Sequence, residues 1–170
     1  MENINPIINK VASSDLITLD LEEFYPSGET VVFDLKDFLF KGLVLKEKDF
    51  REALKIFNWE QYRNKNVAIT CSVDAIVPIW AFMLVAVNLD GIANYYRFGT
   101  EIELLTDIFF QNLNKMNVED YRNKKLLVKG CSDKEVPASV YVEVGRLLLP
   151  VVKSLMYGEA CSNVPLMKRK

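Results

Sequence analysis

The chain has 170 residues, of which 50% are hydrophobic and 26% are charged, with a formal net charge of −2. A chain of this length and composition can bury roughly 70% of the surface that its unfolded form exposes, which excludes a globally disordered protein. The charge provides no broad attraction to a phosphate backbone, so we expect no nucleic-acid partner. No linker or low-complexity stretch marks a boundary, and we expect a single globular domain over residues 1–170.

The chain shows no pattern of secretion or membrane insertion. Its longest apolar run, Ala75 to Val87, is too short to span a bilayer and contains Pro78, so it predicts a buried helix. The N-terminus lacks the basic-then-apolar pattern of a signal peptide. The cysteine count of three is odd, which does not suit a closed disulfide framework. We therefore expect a cytoplasmic protein with reduced thiols and no membrane partner.

The first third of the chain predicts two short strands and a helix. Leu16–Leu21 and Thr30–Phe33 are rich in β-branched and aromatic residues, which is typical of strands. We expect these strands to add antiparallel edges to a sheet. Glu47–Phe57 predicts a helix, because Phe50 and Leu54 recur at helical spacing.

The rest of the chain predicts strands and helices in alternation. In chain order these elements are Asn66–Thr70, Pro78–Leu89, Ile92–Phe98, Glu101–Leu113, Lys125–Lys129 and Pro137–Tyr157. Gly158 is the expected stop of the last helix, and Gly145 and Pro150 predict a kink or a break within it. The helix Pro78–Leu89 is apolar nearly all round, so we expect it to be covered on every side. The alternation predicts an α/β fold, a layered and mixed sheet with helices packed on it, whose strand order stays open.

Each of the three cysteines is followed by a serine. The pairs are Cys71-Ser72, Cys131-Ser132 and Cys161-Ser162. The first two pairs follow predicted strands, where α/β folds build their sites, and the third lies on a segment short enough to fold back. Three thiolates that converge on one point form a soft-metal site, suited to zinc or to an iron–sulfur cluster.

The metal hypothesis needs further ligands and supporting hydrogen bonds. Because the chain has no histidine, the additional ligands would be Asp74, Asp133, Glu159, a water molecule or a group of a partner. The three serines would orient the thiolates through hydrogen bonds. The pattern therefore favours a metal- or iron–sulfur-binding accessory protein.

Two other interpretations stay open. A thiol near a helix N-terminus is activated, so Cys71 would be the nucleophile of a thiol-based sulfur carrier or transferase. Alternatively, the cysteines are small hydrophobic residues of the core, and the chain is a non-catalytic interaction protein with an exposed apolar patch. Whether the chain is an enzyme stays open, since it has no phosphate-binding glycine loop, no nucleophile elbow and no Ser-His-Asp set.

Four stretches of the chain are similar to a bacterial family of unknown function. They are Gly42–Arg51, Cys71–Ala81, Lys129–Cys131 and Lys153–Leu166. The family is domain of unknown function 2480, mostly from Bacteroidetes, and the resemblance spans nearly the whole chain. It implies no established activity and no catalytic residues. The association of its members with iron–sulfur assembly genes implies a role beside sulfur or cluster handling, with an assembly protein as partner.

Overall fold

The computed structural model describes residues 16–130 and 133–169. Seven strands occur in this part of the chain: β1 (Leu16–Leu19), β2 (Thr30–Asp34), β3 (Asn66–Thr70), β4 (Tyr95–Phe98), β5 (Lys125–Lys129), β6 (Ser154–Glu159) and β7 (Ser162–Lys168). The α-helices are α1 (Glu47–Ile56), α2 (Ile79–Leu89), α3 (Glu101–Leu113) and α4 (Ala138–Leu148). The predicted α/β class is confirmed.

The chain divides into two compact units. The split unit combines Met1–Tyr25 with Phe109–Lys170, and the inserted unit is Pro26–Ile108. The single domain expected over residues 1–170 stays a prediction.

Each unit contains its own sheet. The split unit has the strand order β1-β5-β6-β7, and the inserted unit has the order β2-β3-β4. Every neighbouring pair is parallel except β6 with β7, so the mixed sheet is confirmed. The expectation of antiparallel N-terminal strands is wrong, because β1 pairs in parallel with β5 and β2 with β3. Parallel pairing requires a crossover connection, which α1 provides between β2 and β3.

The two units share one sequence pattern. The motif Asn-x-Glu-x-Tyr-Arg-Asn-Lys occurs at 58–65 and again at 117–124, and matching residues then recur 59 positions apart as far as Gly99 and Gly158. In each copy a short 3-10 helix, a strand, an α-helix and a second strand follow in the same order. The chain therefore contains an internal duplication.

The duplication extends to backbone geometry. Asn64 and Asn123 occupy equivalent positions, and both have a left-handed φ of 59°. The Asn64 N–H donates to the carbonyl of Ile92 at 3.0 Å, and the Asn123 N–H donates to the carbonyl of Val151 at 2.9 Å. Asparagine tolerates a positive φ better than most residues, which explains why both copies keep it at this turn.

Aromatic rings form much of the core of the inserted unit. Phe33 on β2 stacks on Phe38 and Trp59 with ring centroids 5.3 and 5.4 Å apart. The predicted core residues of α1, Phe50 and Leu54, are both buried. Offset and edge-to-face ring pairs add to the stabilisation from burial alone, so this cluster anchors α1 to the sheet.

Helix α2 is not covered on every side, contrary to the expectation for an apolar helix. Ile79, Met83 and Val87 are 76%, 65% and 70% exposed, whereas Val85 and Leu89 are fully buried. Burial of one face is enough to hold the helix on its sheet. In the part of the chain that the structure describes, no helix is long and apolar enough to cross a membrane.

The predicted helix Pro137–Tyr157 is only half right. Helix α4 ends at Leu148, and β6 begins at Ser154. Pro150 lacks the N–H that a continuing helix would need, so the break that it predicts is real. Gly158 does not stop a helix; it lies within β6 with a φ of 123°.

The two glycines of this region give opposite expectations for substitution by alanine. A Cβ at Gly158 would lie 2.6 Å from the backbone oxygen of Ser162, at a φ that side chains rarely adopt. We expect Gly158→Ala to lower the free energy of unfolding by about 1–3 kcal/mol. Gly145 lies inside α4, and a Cβ added there would meet open space. Gly145→Ala should therefore raise the free energy of unfolding by about 0.5–1 kcal/mol, because alanine favours a helix more than glycine does. Urea denaturation followed by circular dichroism measures both, and equal effects would contradict this account.

Candidate functional site

Polar side chains meet at the carboxyl ends of the parallel strands of the inserted unit. Asp34 ends β2, and it lies in register with Thr70 at the end of β3. The Asp34 carboxylate accepts hydrogen bonds from the backbone N–H groups of Lys36 at 3.0 Å and Ser72 at 3.1 Å. The Lys36 ammonium lies 3.2 Å from its second oxygen. This is the sheet edge at which open α/β folds bind ligands.

Asp34 holds its charge at this edge. Burial raises the pKa of Asp34, but hydrogen bonds from the backbone and hydroxyl of Ser72 and from Lys36 outweigh it, so the pKa lies below its ordinary value. A carboxylate with a lowered pKa is a weak base near neutral pH, so Asp34 does not suit the activation of the Ser72 hydroxyl. Its role is to fix the loop that follows β3.

Cys71 lies on this fixed loop. Its side chain is half-buried and packs against the hydrophobic core of the inserted unit. The thiol donates to the carbonyl of Val73 at 3.5 Å. The predicted ligand Asp74 is exposed on the same loop. These contacts are of the kind that a small hydrophobic residue with a weak donor makes.

The split unit carries an equivalent edge with different charges. Asp20, one residue past β1, accepts a hydrogen bond from the Lys129 ammonium at 2.6 Å, which lowers the pKa of Asp20. The same bond raises the pKa of Lys129 against the opposing effect of burial, and Glu22 and Glu159 raise it further. Glu22 also accepts from the backbone N–H of Asp133 at 2.6 Å. Several carboxylates therefore surround one ammonium at the ends of β1, β5 and β6.

This second edge also carries a cysteine. Cys161 is exposed in the connection between β6 and β7, where Ser162 begins β7. The predicted site residues Cys131 and Ser132 lie outside the described residues. The N–H of Gly130, which directly precedes Cys131, donates to the carbonyl of Gly158 at 3.1 Å.

The predicted site residues are thus divided between the two units. Cys71, Ser72 and Asp74 belong to the inserted unit, whereas Glu159, Cys161 and Ser162 belong to the split unit. Among residues 16–130 and 133–169, no group of three or more Cys, Asp or Glu side chains could hold a metal ion. A three-cysteine site stays a prediction, because it depends on Cys131.

Asp20, Asp34 and Lys129 were not expected to contribute to a site. A signal for the two aspartates was available: the motif Asp-Leu-x-x-Phe occurs at 20–24 and again at 34–38. In both places the aspartate caps a short 3-10 helix and accepts from the backbone N–H two residues on. The repeated cap indicates that each sheet edge is built around the same carboxylate.

The fold and the two edges define an α/β protein with polar side chains at the carboxyl ends of its parallel strands. The chain belongs to the family of proteins of unknown function named DUF2480, whose family model matches residues 5–169. No curated protein and no solved structure matches it.

Asp34 should make the stability of the protein depend on pH. Since its folded-state pKa is lowered, its contribution is present above the unfolded pKa of about 3.9 and is lost as the pH falls through the folded value. We expect Asp34→Asn to destabilise the protein at neutral pH, and this difference from the wild type should shrink between about pH 5 and pH 2. Denaturation at a series of pH values tests this. Asp74→Asn, an exposed carboxylate on the neighbouring loop, is the control, and equal pH profiles for both variants would contradict the assignment.

Proposed function

We propose that the protein is a cytoplasmic metal- or iron–sulfur-binding accessory protein whose site lies at the carboxyl edge of the split unit. The observation that carries the proposal is the parallel pairing of β5 with β6, which brings Lys129 into register with Gly158. Gly130, which directly precedes Cys131 in the sequence, therefore lies beside Gly158, three residues before Cys161. Ligands at the carboxyl ends of adjacent parallel strands are the usual arrangement in α/β folds.

The proposed ligand set is Cys131, Cys161 and Glu159. Two thiolates and a carboxylate suit zinc or iron, and a fourth position would be taken by Asp133, a water molecule or a group of a partner. The Lys129 ammonium already lies among the carboxylates of this edge and would offset the negative charge of the thiolates. Ser132 and Ser162 would donate hydrogen bonds to the sulfur atoms.

The proposed ligand set omits Cys71. It belongs to the inserted unit and packs against that unit's core. Ser72, predicted to orient a thiolate, bonds to Asp34. The inserted unit therefore supplies a matched control thiol for tests of the metal site.

We expect the chain, purified without oxygen, to carry about one metal ion or one cluster. Cys131→Ala and Cys161→Ala should each abolish it, because a site with three protein ligands does not survive the loss of a thiolate. Elemental analysis and the visible absorption spectrum measure the bound metal. Cys71→Ala is the control and should keep its metal. Metal-free wild-type protein, or unchanged metal content in both split-unit variants, would end the proposal.

An assembly protein that handles iron–sulfur clusters is the partner that this function implies. An exposed thiolate site at a sheet edge suits transient exchange of metal or cluster with such a partner.

A second candidate function is a thiol-based sulfur carrier or transferase with Cys71 as nucleophile. One observation favours it: Cys71 directly follows β3, the central strand of the inserted sheet, on the loop that leads to α2. Nucleophiles of α/β folds occupy such positions.

The order in which the cysteines are alkylated shows whether Cys71 is an activated thiol or whether solvent access alone decides reactivity. Cys161 is exposed and Cys71 is half-buried, so access alone would make Cys161 react first with iodoacetamide. An activated Cys71 should react first near neutral pH, because the thiolate is the reactive form. Mass spectrometry of the labelled peptides over time gives the order. Faster labelling of Cys161 would exclude Cys71 as an activated nucleophile.

A further inference from the structure

We propose that the chain forms a homodimer through the exposed face of α2, an interface independent of the cysteines and of the function proposed above. The α2 ridge consists of Ile79, Met83 and Val87, which recur four residues apart and therefore lie on one face of the helix. They are 76%, 65% and 70% exposed. Apolar side chains that form a continuous exposed face are typical of an interaction surface.

The internal duplication shows that the fold does not require this ridge. The positions of α4 that correspond to Ile79 and Val87 are Ala138 and Arg146, and Arg146 forms an ion pair with Glu143 at 2.5 Å. Both helices nevertheless bury the same three positions. These are Ala81, Val85 and Leu89 in α2, and Val140, Val144 and Leu148 in α4. The flanks of the ridge are therefore apolar in α2 for a reason other than packing within the unit.

The ridge is suited to a second copy of itself. Met83 lies at its centre, with a β-branched aliphatic side chain four residues away on either side. A two-fold axis beside Met83 places Ile79 opposite Val87 of the other copy, as an isologous interface requires. Helix α2 contains no acidic or basic residue, so two copies meet without bringing like charges together.

The surface beside the ridge provides a cavity and additional area. A shallow cavity of about 360 Å³ is lined by Met83, Ala86, Val87, Asp90 and Tyr96. In the two-fold arrangement Ile79 of the other copy faces this cavity. Phe98, 62% exposed, packs edge-on against Phe82 of the same helix. The ridge and Phe98 together offer on the order of 500 Å², more than half of the ~800 Å² that each partner contributes to a standard interface.

The decisive experiment replaces the exposed residues of α2 by the residues at the equivalent positions of α4. The triple variant Ile79→Ala/Met83→Val/Val87→Arg uses residues that the duplicated helix already accepts at equivalent positions. Sedimentation of the full chain over roughly 1–100 µM should show a wild-type dimer. The triple variant should weaken self-association by at least about 100-fold, because central anchor residues dominate interface energetics.

A matched pair of charge substitutions tests which helix forms the interface. Met83→Glu places two carboxylates opposite each other across the axis and should yield a monomer. Val142→Glu, at the equivalent and 75% exposed position of α4, should leave the dimer intact. A monomeric wild type at about 100 µM, a dimeric triple variant, or equal dissociation by Val142→Glu would each overturn the proposal.

Amide hydrogen exchange tests the proposed dimer on the wild-type chain, without any substitution. Far-UV circular dichroism shows whether each variant folds. If both α2 variants fail to fold, exchange is measured across the same concentration series. Protection of the α2 segment and of Phe98 that rises with concentration supports the dimer, and protection that stays constant overturns it.

Discussion

In each unit, an aspartate at the end of the first described strand holds in place the backbone at the carboxyl edge of the sheet. Asp34 and Asp20 cap a short 3-10 helix in the same way, and each then accepts a bond from a residue that follows or ends the neighbouring strand. For Asp34 that residue is Ser72, and for Asp20 it is Lys129. A buried or half-buried carboxylate keeps its charge only when donors surround it, so each aspartate fixes the conformation of the loop beside it.

The duplication explains why the two edges have the same construction but different chemistry. In both units, a carboxylate at the end of one strand accepts a hydrogen bond from a donor at or just beyond the end of the neighbouring parallel strand. The donor is a neutral backbone and hydroxyl in the inserted unit, and a charged ammonium in the split unit. The thiols follow the same division, since Cys71 contacts a hydrophobic core and Cys161 is exposed. Two copies of one framework have thus acquired different side chains at this edge, where the framework does not determine them.

Local sequence patterns predicted the strands and helices whose bounds depend on residues close together in the chain. The bounds of β3, β5 and α3 agree with prediction, because their periodicity and flanking turn residues are all encoded within a few positions. The segment after Pro150 was assigned to a helix because its apolar residues fit either structure. Alignment with the first copy would have revealed the strand, since Ser154 to Gly158 corresponds to Tyr95 to Gly99.

The candidate site was less predictable, for a reason that lies in sheet topology. The bond between Ser72 and Asp34 joins residues 38 positions apart, and that between Lys129 and Asp20 joins residues 109 apart. No local pattern records which strands become neighbours. The cysteine-serine pairs were visible as a pattern, yet the placement of Cys71 in one unit and Cys161 in the other follows from strand pairing.

The nesting of one unit within the other has a consequence for synthesis on the ribosome. All three strands of the inserted sheet have been made once Phe98 is added, whereas β1 has no neighbour until β5 is complete at Lys129. Because contacts close in sequence form sooner than distant ones, the middle of the polypeptide acquires its structure while both flanks are still unpaired. Strand β1 is therefore among the last of the described strands to pair, because the strand beside it is made more than 100 residues later.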